Sequence, residues 1–123
     1  MRQIILVGVG GCLGAAVRYK LGGMVLHMTP GWRFPLSTFI INVSGCLVAG
    51  LLAGLVEKRD LFAPDVRLLL FTGILGGFTT FSAFGLETVY LIQRQQTLIA
   101  LANVVASVVG GVLALWLGIK IIP

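Results

Sequence analysis

Polar and aromatic side chains recur at helical spacing inside runs that are otherwise apolar. The densest group is Thr72-Gly73-Ile74-Leu75-Gly76-Gly77-Phe78-Thr79-Thr80-Phe81-Ser82-Ala83-Phe84-Gly85-Leu86-Glu87. Paired glycines followed by paired threonines favour a break over a continuous helix. Carbonyls released by such a break are hard oxygen donors, the kind that discontinuous membrane helices use to coordinate sodium. Phe78, Phe81 and Phe84 recur at every third position. A phenylalanine stripe is ordinarily packing. An aromatic ring also has a positive edge, and rings presented edge-on stabilise an anion without a fixed cation to trap it.

Other polar residues extend the set. Thr38 and Asn42 lie four apart and so share a helix face. Asn42 offers uncharged N–H donors to an anion or glue between helices, and the sequence leaves both open. Arg18 and Glu87 are ionisable groups within apolar runs, where such groups are functional candidates by default. Arg18 lines a wet vestibule, pairs with a carboxylate or carbonyls, or snorkels to headgroups. Glu87 pairs with Arg18, binds a proton or sits near the interface. Asn103 and Ser107 are again four apart; glue is the expected role for Asn103, while Ser107 is a candidate for the same polar path as Ser82. The single histidine, the scattered carboxylates and the separated Cys12 and Cys46 form neither a nucleophilic triad nor a metal-ligand cluster. No enzyme activity is expected.

The elements that must position these residues are membrane helices. Of 123 residues, 58% are hydrophobic and 11% charged, and the mean hydropathy is +1.05. Soluble domains carry about 25% charged residues, so this chain has too few ionised groups to clothe a water-facing surface. A spanning helix needs about 20 apolar residues. Runs predicted as helices over about 4–28, 36–56, 66–93 and 97–122 use up the chain as one transmembrane domain, all-α, with the third helix broken near 76–80. Between them lie Thr29-Pro30-Gly31-Trp32-Arg33-Phe34-Pro35, the charged Glu57-Lys58-Arg59-Asp60, and Gln93-Arg94-Gln95-Gln96. Arg2 and the apolar stretch before Cys12 resemble a secretion signal, but the pattern runs on past Cys12, so the segment reads as a retained helix. Gly8-Val9-Gly10-Gly11-Cys12-Leu13-Gly14 puts Leu13 at the last glycine position of a dinucleotide fingerprint and has no strand–helix–strand unit around it. That reading is rejected.

The net charge of +5 does not point to nucleic acid, because the basic residues flank the apolar runs. Arg2, Lys58, Arg59, Arg67 and Lys120 fall on one side, Arg18, Lys20, Arg33 and Arg94 on the other. This is a weak bias under the positive-inside rule, compatible with insertion both ways. Small residues repeat every four positions at Gly10/Gly14, Ala49/Ala53, Gly50/Gly54 and Ala102/Ala106/Gly110/Ala114, as close helix packing in lipid requires.

Taken in order, Gly10-Gly11-Cys12-Leu13-Gly14 with Arg18-Tyr19, Thr38 with Asn42 and Gly45, and Gly76-Gly77-Phe78-Thr79-Thr80-Phe81-Ser82-Ala83-Phe84 with Glu87 resemble the bacterial fluoride channels of the CrcB/Fluc family across essentially the whole chain. The resemblance implies a fluoride-selective channel that exports the ion passively across the bacterial cytoplasmic (inner) membrane and protects against fluoride toxicity. It implies a dual-topology, antiparallel homodimer with a structural sodium ion at its centre, held by main-chain carbonyls mapping to Gly76 and Thr79. Phe81 and Phe84 take the places of the phenylalanines whose edges meet fluoride, and Asn42 that of the pore asparagine. Arg18, Thr38, Ser82 and Glu87 match other polar positions on or near the path. The chain departs from the family at Ala83 and Gly85, where threonine and serine are common, and at Phe78, usually aliphatic. A small multidrug-resistance-type exporter is the alternative; it expects a carboxylate in the first helix, which has none.

Overall fold

The computed structural model describes residues 1–123, and they form only helices and connecting turns. Helix α1 covers Arg2–Met28 and α2 covers Leu36–Arg59. The third span is assembled from α3 (Pro64–Arg67), a π-helical stretch (Leu68–Leu75), α4 (Gly76–Phe78) and α5 (Phe81–Gln93); α6 is Thr97–Ile121. Four stretches, Arg2–Met28, Leu36–Arg59, Pro64–Gln93 and Thr97–Ile121, are long and apolar enough to cross a membrane.

The first three spans reach slightly beyond the apolar runs that predict them, and the fourth ends one residue short. Helix α2 continues through Lys58 and Arg59 and stops at Asp60, whose φ of 47° is left-handed. Long basic side chains extend the helix into the interface because their stems stay with the apolar surface while the heads reach water. Pro64 opens α3, where its missing N–H has no helical partner to lose. In the π-helical stretch the hydrogen bonds skip one more residue than in an α-helix; the Gly76 N–H reaches the Phe71 carbonyl. Such widened turns concentrate at functional sites.

Close backbone approach holds the bundle. A Cβ on Gly10 would stand 2.9 Å from Gly73 Cα, and one on Gly118 would stand 2.7 Å from the Leu47 carbonyl oxygen. Helix α1 therefore lies directly on the π-helical stretch, and α6 on α2. The predicted Gly10/Gly14 and Gly50/Gly54 pairs are buried. On α6 the buried face is Ala100, Asn103, Gly111 and Gly118, not the predicted alanine stripe, of which Ala102 is exposed. Gly118 there admits the α2 backbone, which an alanine methyl would hold away, and Gly111 lies against the Cys46 side chain.

Polar contacts tie one end together. Arg2 pairs with Asp65 at 2.8 Å, and Lys58 Nζ donates to the carbonyls of Ile119 and Ile122 at 3.0 and 2.6 Å. The start of α1, the second loop and the end of α6 thus share a side, as alternating spans demand. Among hydrophobic side chains only Ile41, Leu75, Leu91 and Ala100 are buried. In one copy the apolar surface faces outward, which inverts the soluble pattern and suits lipid or a second chain.

Candidate functional site

The site is built where α4 gives way to α5. Thr79 and Thr80 have extended backbones, with φ/ψ of −85°/155° and −149°/120°. In an unbroken helix the Thr80 N–H would return to the Gly76 carbonyl, and the Ala83 N–H to that of Thr79. Here the Thr80 N–H donates to Asn42 Oδ1 at 3.0 Å, and the Ala83 N–H to Thr80 Oγ1 at 3.2 Å. The Gly76 and Thr79 carbonyls lose those helical donors. Thr80 is the N-cap of α5, a position threonine suits because its short hydroxyl replaces the missing acceptor.

Asn42 acts on this stretch as a splint. Its Nδ2 donates to the Thr80 carbonyl at 3.1 Å while its Oδ1 takes the Thr80 N–H, so one side-chain amide satisfies both main-chain groups of one residue. Leaving either unpaired would cost about 1–3 kcal/mol. One Nδ2 proton remains for another acceptor.

A cavity of about 260 Å³ adjoins the splint, lined among others by Asn42, Thr79, Phe81, Phe84 and Ser107. The Phe81 and Phe84 rings stand side by side on the first turn of α5, their centroids 5.5 Å apart and their planes inclined by 43°. Phe81 is 84% exposed in the single chain, so its ring projects away from its own bundle. The positive end of the α5 dipole opens onto the same place.

A second, larger cavity of about 800 Å³ lies beyond Thr80, where Arg18, Lys20, Thr38, Ala83 and Glu87 are among its walls. Thr38 Oγ1 donates to Glu87 Oε1 at 2.7 Å, while Glu87 Oε2 is enclosed without a donor. Arg18 makes no ion pair; the two in the chain are Arg2–Asp65 and Arg67–Asp60. Two basic side chains in this cavity make it attractive to anions.

The predicted residues thus divide. Asn42, Thr79, Phe81, Phe84 and Ser107 converge on the smaller cavity; Arg18, Thr38 and Glu87 belong to the larger. Ser82 lines neither; its hydroxyl lies 3.1 Å from Thr80 Oγ1. Gly76 is helical and lines neither cavity. No three His, Cys, Asp or Glu side chains converge. Sequence reasoning missed Thr80 as the hub that touches Asn42, Ser82 and both cavities, though its place three residues before Ala83 at a helix start is a capping signal. It also missed Thr88, which joins Asn103 to the Phe84 carbonyl.

The family model described as CrcB-like protein, Camphor Resistance (CrcB), matches residues 5–119. A protein of Methylobacillus flagellatus named fluoride-specific ion channel FluC is 52% identical over 99% of this chain and 95% of its own. Proteins of the same name from Nitratidesulfovibrio vulgaris and Flavobacterium psychrophilum are 43% and 40% identical, over 97% and 98% of this chain and 95% and 97% of theirs. With four membrane-length helices and bacterial relatives of this kind, the protein is a multi-pass bacterial membrane protein. A match running almost end to end, at identities this high, means that the chain belongs to the CrcB-like protein family.

Proposed function

We propose that the chain is one subunit of a channel that lets fluoride leave the cell down its electrochemical gradient. The observation that carries the reading is the pair of extended residues Thr79–Thr80, splinted by Asn42 beside the Phe81 and Phe84 rings. It supplies an anion with ring edges, a side-chain N–H and a helix N-terminus, none of which bears a full charge. Conduction needs binding favourable enough to enter yet weak enough to leave, and neutral donors meet both demands. Arg18 and Lys20 in the larger cavity raise the local anion concentration without standing at the narrow part. The relatives' name, fluoride-specific ion channel, supports fluoride as the ion.

The interruption lies within the membrane, where non-helical backbone is tolerated only if buried in protein or lining a cavity. The Gly76 and Thr79 carbonyls, deprived of their helical donors, fit a sodium ion. Gly76 and Thr79 would hold the ion, which when bound would supply one positive charge to offset their carbonyl dipoles. An antiparallel homodimer places a second copy against the exposed Phe81 and its surroundings, consistent with the nearly balanced basic residues at the two ends.

The test is fluoride efflux from liposomes holding the purified protein, followed with a fluoride electrode. Fluoride is expected to leave quickly once valinomycin carries the compensating potassium, and chloride to stay. Efflux that ignores valinomycin but requires a proton gradient would replace the channel by an exchanger. No fluoride efflux, or equal chloride efflux, would end the reading.

A further inference from the structure

Behind the smaller cavity runs a chain of four hydrogen-bonding groups whose direction is set at one end. Thr88 Oγ1 lies 2.7 Å from the Phe84 carbonyl. A carbonyl only accepts, so the single Thr88 proton is spent there. Thr88 Oγ1 must then accept from Asn103, which turns Nδ2 toward it at 3.0 Å. The opposite atom of that amide, Oδ1, faces Ser107 at 3.3 Å. Oδ1 only accepts, so Ser107 must donate. Asn103 is 1% exposed, and inverting its amide would set Oδ1 against the lone pairs of Thr88 Oγ1, two acceptors with no proton between them.

We infer that Asn103 and Thr88 are positioning residues that hold the Ser107 proton away from the cavity, so that Ser107 presents lone pairs to the path at rest and releases a donor to an anion only by giving up Asn103. This rests on the fluoride reading and deepens it by naming the control on one donor. The bond that must break is the longest of the relay at 3.3 Å, so Ser107 is the member that turns. A fluoride arriving at Ser107 exchanges a bond to a neutral oxygen for one to an anion, and leaves Asn103 Oδ1 unpaired in a dry place. That opposing cost weakens binding at this point, which suits an ion that must move on.

The experiment uses the full-length protein in liposomes, with efflux rates measured over a range of internal fluoride concentrations. Thr88→Val keeps the shape, removes the proton that fixes the relay, and frees Asn103 to turn its amide toward Ser107. The half-saturating fluoride concentration is expected to fall by about threefold or more, since hydrogen bonds to charged groups are the strong ones. Thr88→Ser restores the wild-type value. In a Ser107→Ala background, Thr88→Val has no further effect. Asn103→Leu, which removes the acceptor itself, shifts the value the same way and serves if Thr88→Val does not fold. An unchanged or higher half-saturation in these variants, or the same shift without Ser107, overturns the inference while leaving the channel intact. Absence of fluoride flux in the wild type defeats the functional reading instead.

Discussion

Replacing Asn42 by leucine removes both halves of the splint at nearly constant volume. The Thr80 N–H and carbonyl lose partners at 3.0 and 3.1 Å. Each unpaired group costs about 1–3 kcal/mol, so the interrupted backbone is destabilised by about 2–6 kcal/mol. The cheapest escape is for the Thr80 N–H to return to the Gly76 carbonyl and close the helix, which withdraws one of the oxygens proposed to hold a cation and swings Phe81. At 1.4 kcal/mol per factor of ten, the conducting backbone becomes scarcer by about 30-fold or more. Fluoride efflux from Asn42→Leu liposomes is therefore expected to fall at least about tenfold. The elution volume in detergent should stay that of wild type, because the packing glycines are untouched. Amide hydrogen exchange at Thr80 gives a second measure, since a closed helix protects it differently. Efflux within about twofold of wild type, with unaltered exchange, would show that Asn42 does not hold this stretch and that the reasoning is wrong.

Other expectations follow from the same geometry. Phe81→Ile keeps bulk but removes the ring edge, and is expected to suppress fluoride efflux while leaving the thermal melt in detergent near wild type. Gly118→Leu drives a Cβ to 2.7 Å from the Leu47 carbonyl oxygen; the melting temperature should fall, overpacking costing about 1–3 kcal/mol. Thr38→Val deletes the donor to Glu87 Oε1 when Oε2 already lacks one; a loss of about 1–3 kcal/mol in chemical denaturation is expected. Exchanging sodium for an organic cation during purification should lower fluoride efflux, and restoring sodium should recover it; efflux indifferent to sodium would remove the carbonyl site from the account.

The four spans were legible because membrane length, proline-glycine turns and charge clusters act locally, within a few residues of each boundary. The stretch between α4 and α5 was legible only in outline. Gly76 and Gly77 drew attention to residues 76–80, yet both are helical; a Cβ on Gly77 would come within 2.9 Å of Gly11 Cα, so that glycine serves contact with α1. The extended residues are the threonines, whose capping chemistry was the truer signal. The Asn42–Thr80 pairing was out of reach, since nothing local links residues 38 positions apart. The alanine repeat of α6 misled for a related reason: small residues at helical spacing mark possible contacts, and only the partner helix decides which face is used. The sharing of polar residues between two cavities, with Thr38 beside Glu87 and Ser107 beside Phe84, depended on the same cross-helix placement.

The span between Asn42 and Thr80 also has a meaning in time. A ribosome delivers the chain from its N-terminus, so α2 emerges before the third span. Pro64–Gln93 is apolar enough to enter lipid on its own, and in isolation its cheapest form there is one continuous helix. Asn42 is waiting when Thr80 arrives, ready to take over the two peptide groups that uncoiling would otherwise strand. The chain's reading order thus lays down the template before the segment it shapes, and circular permutants that place α2 last are expected to trap the third span in its straight form.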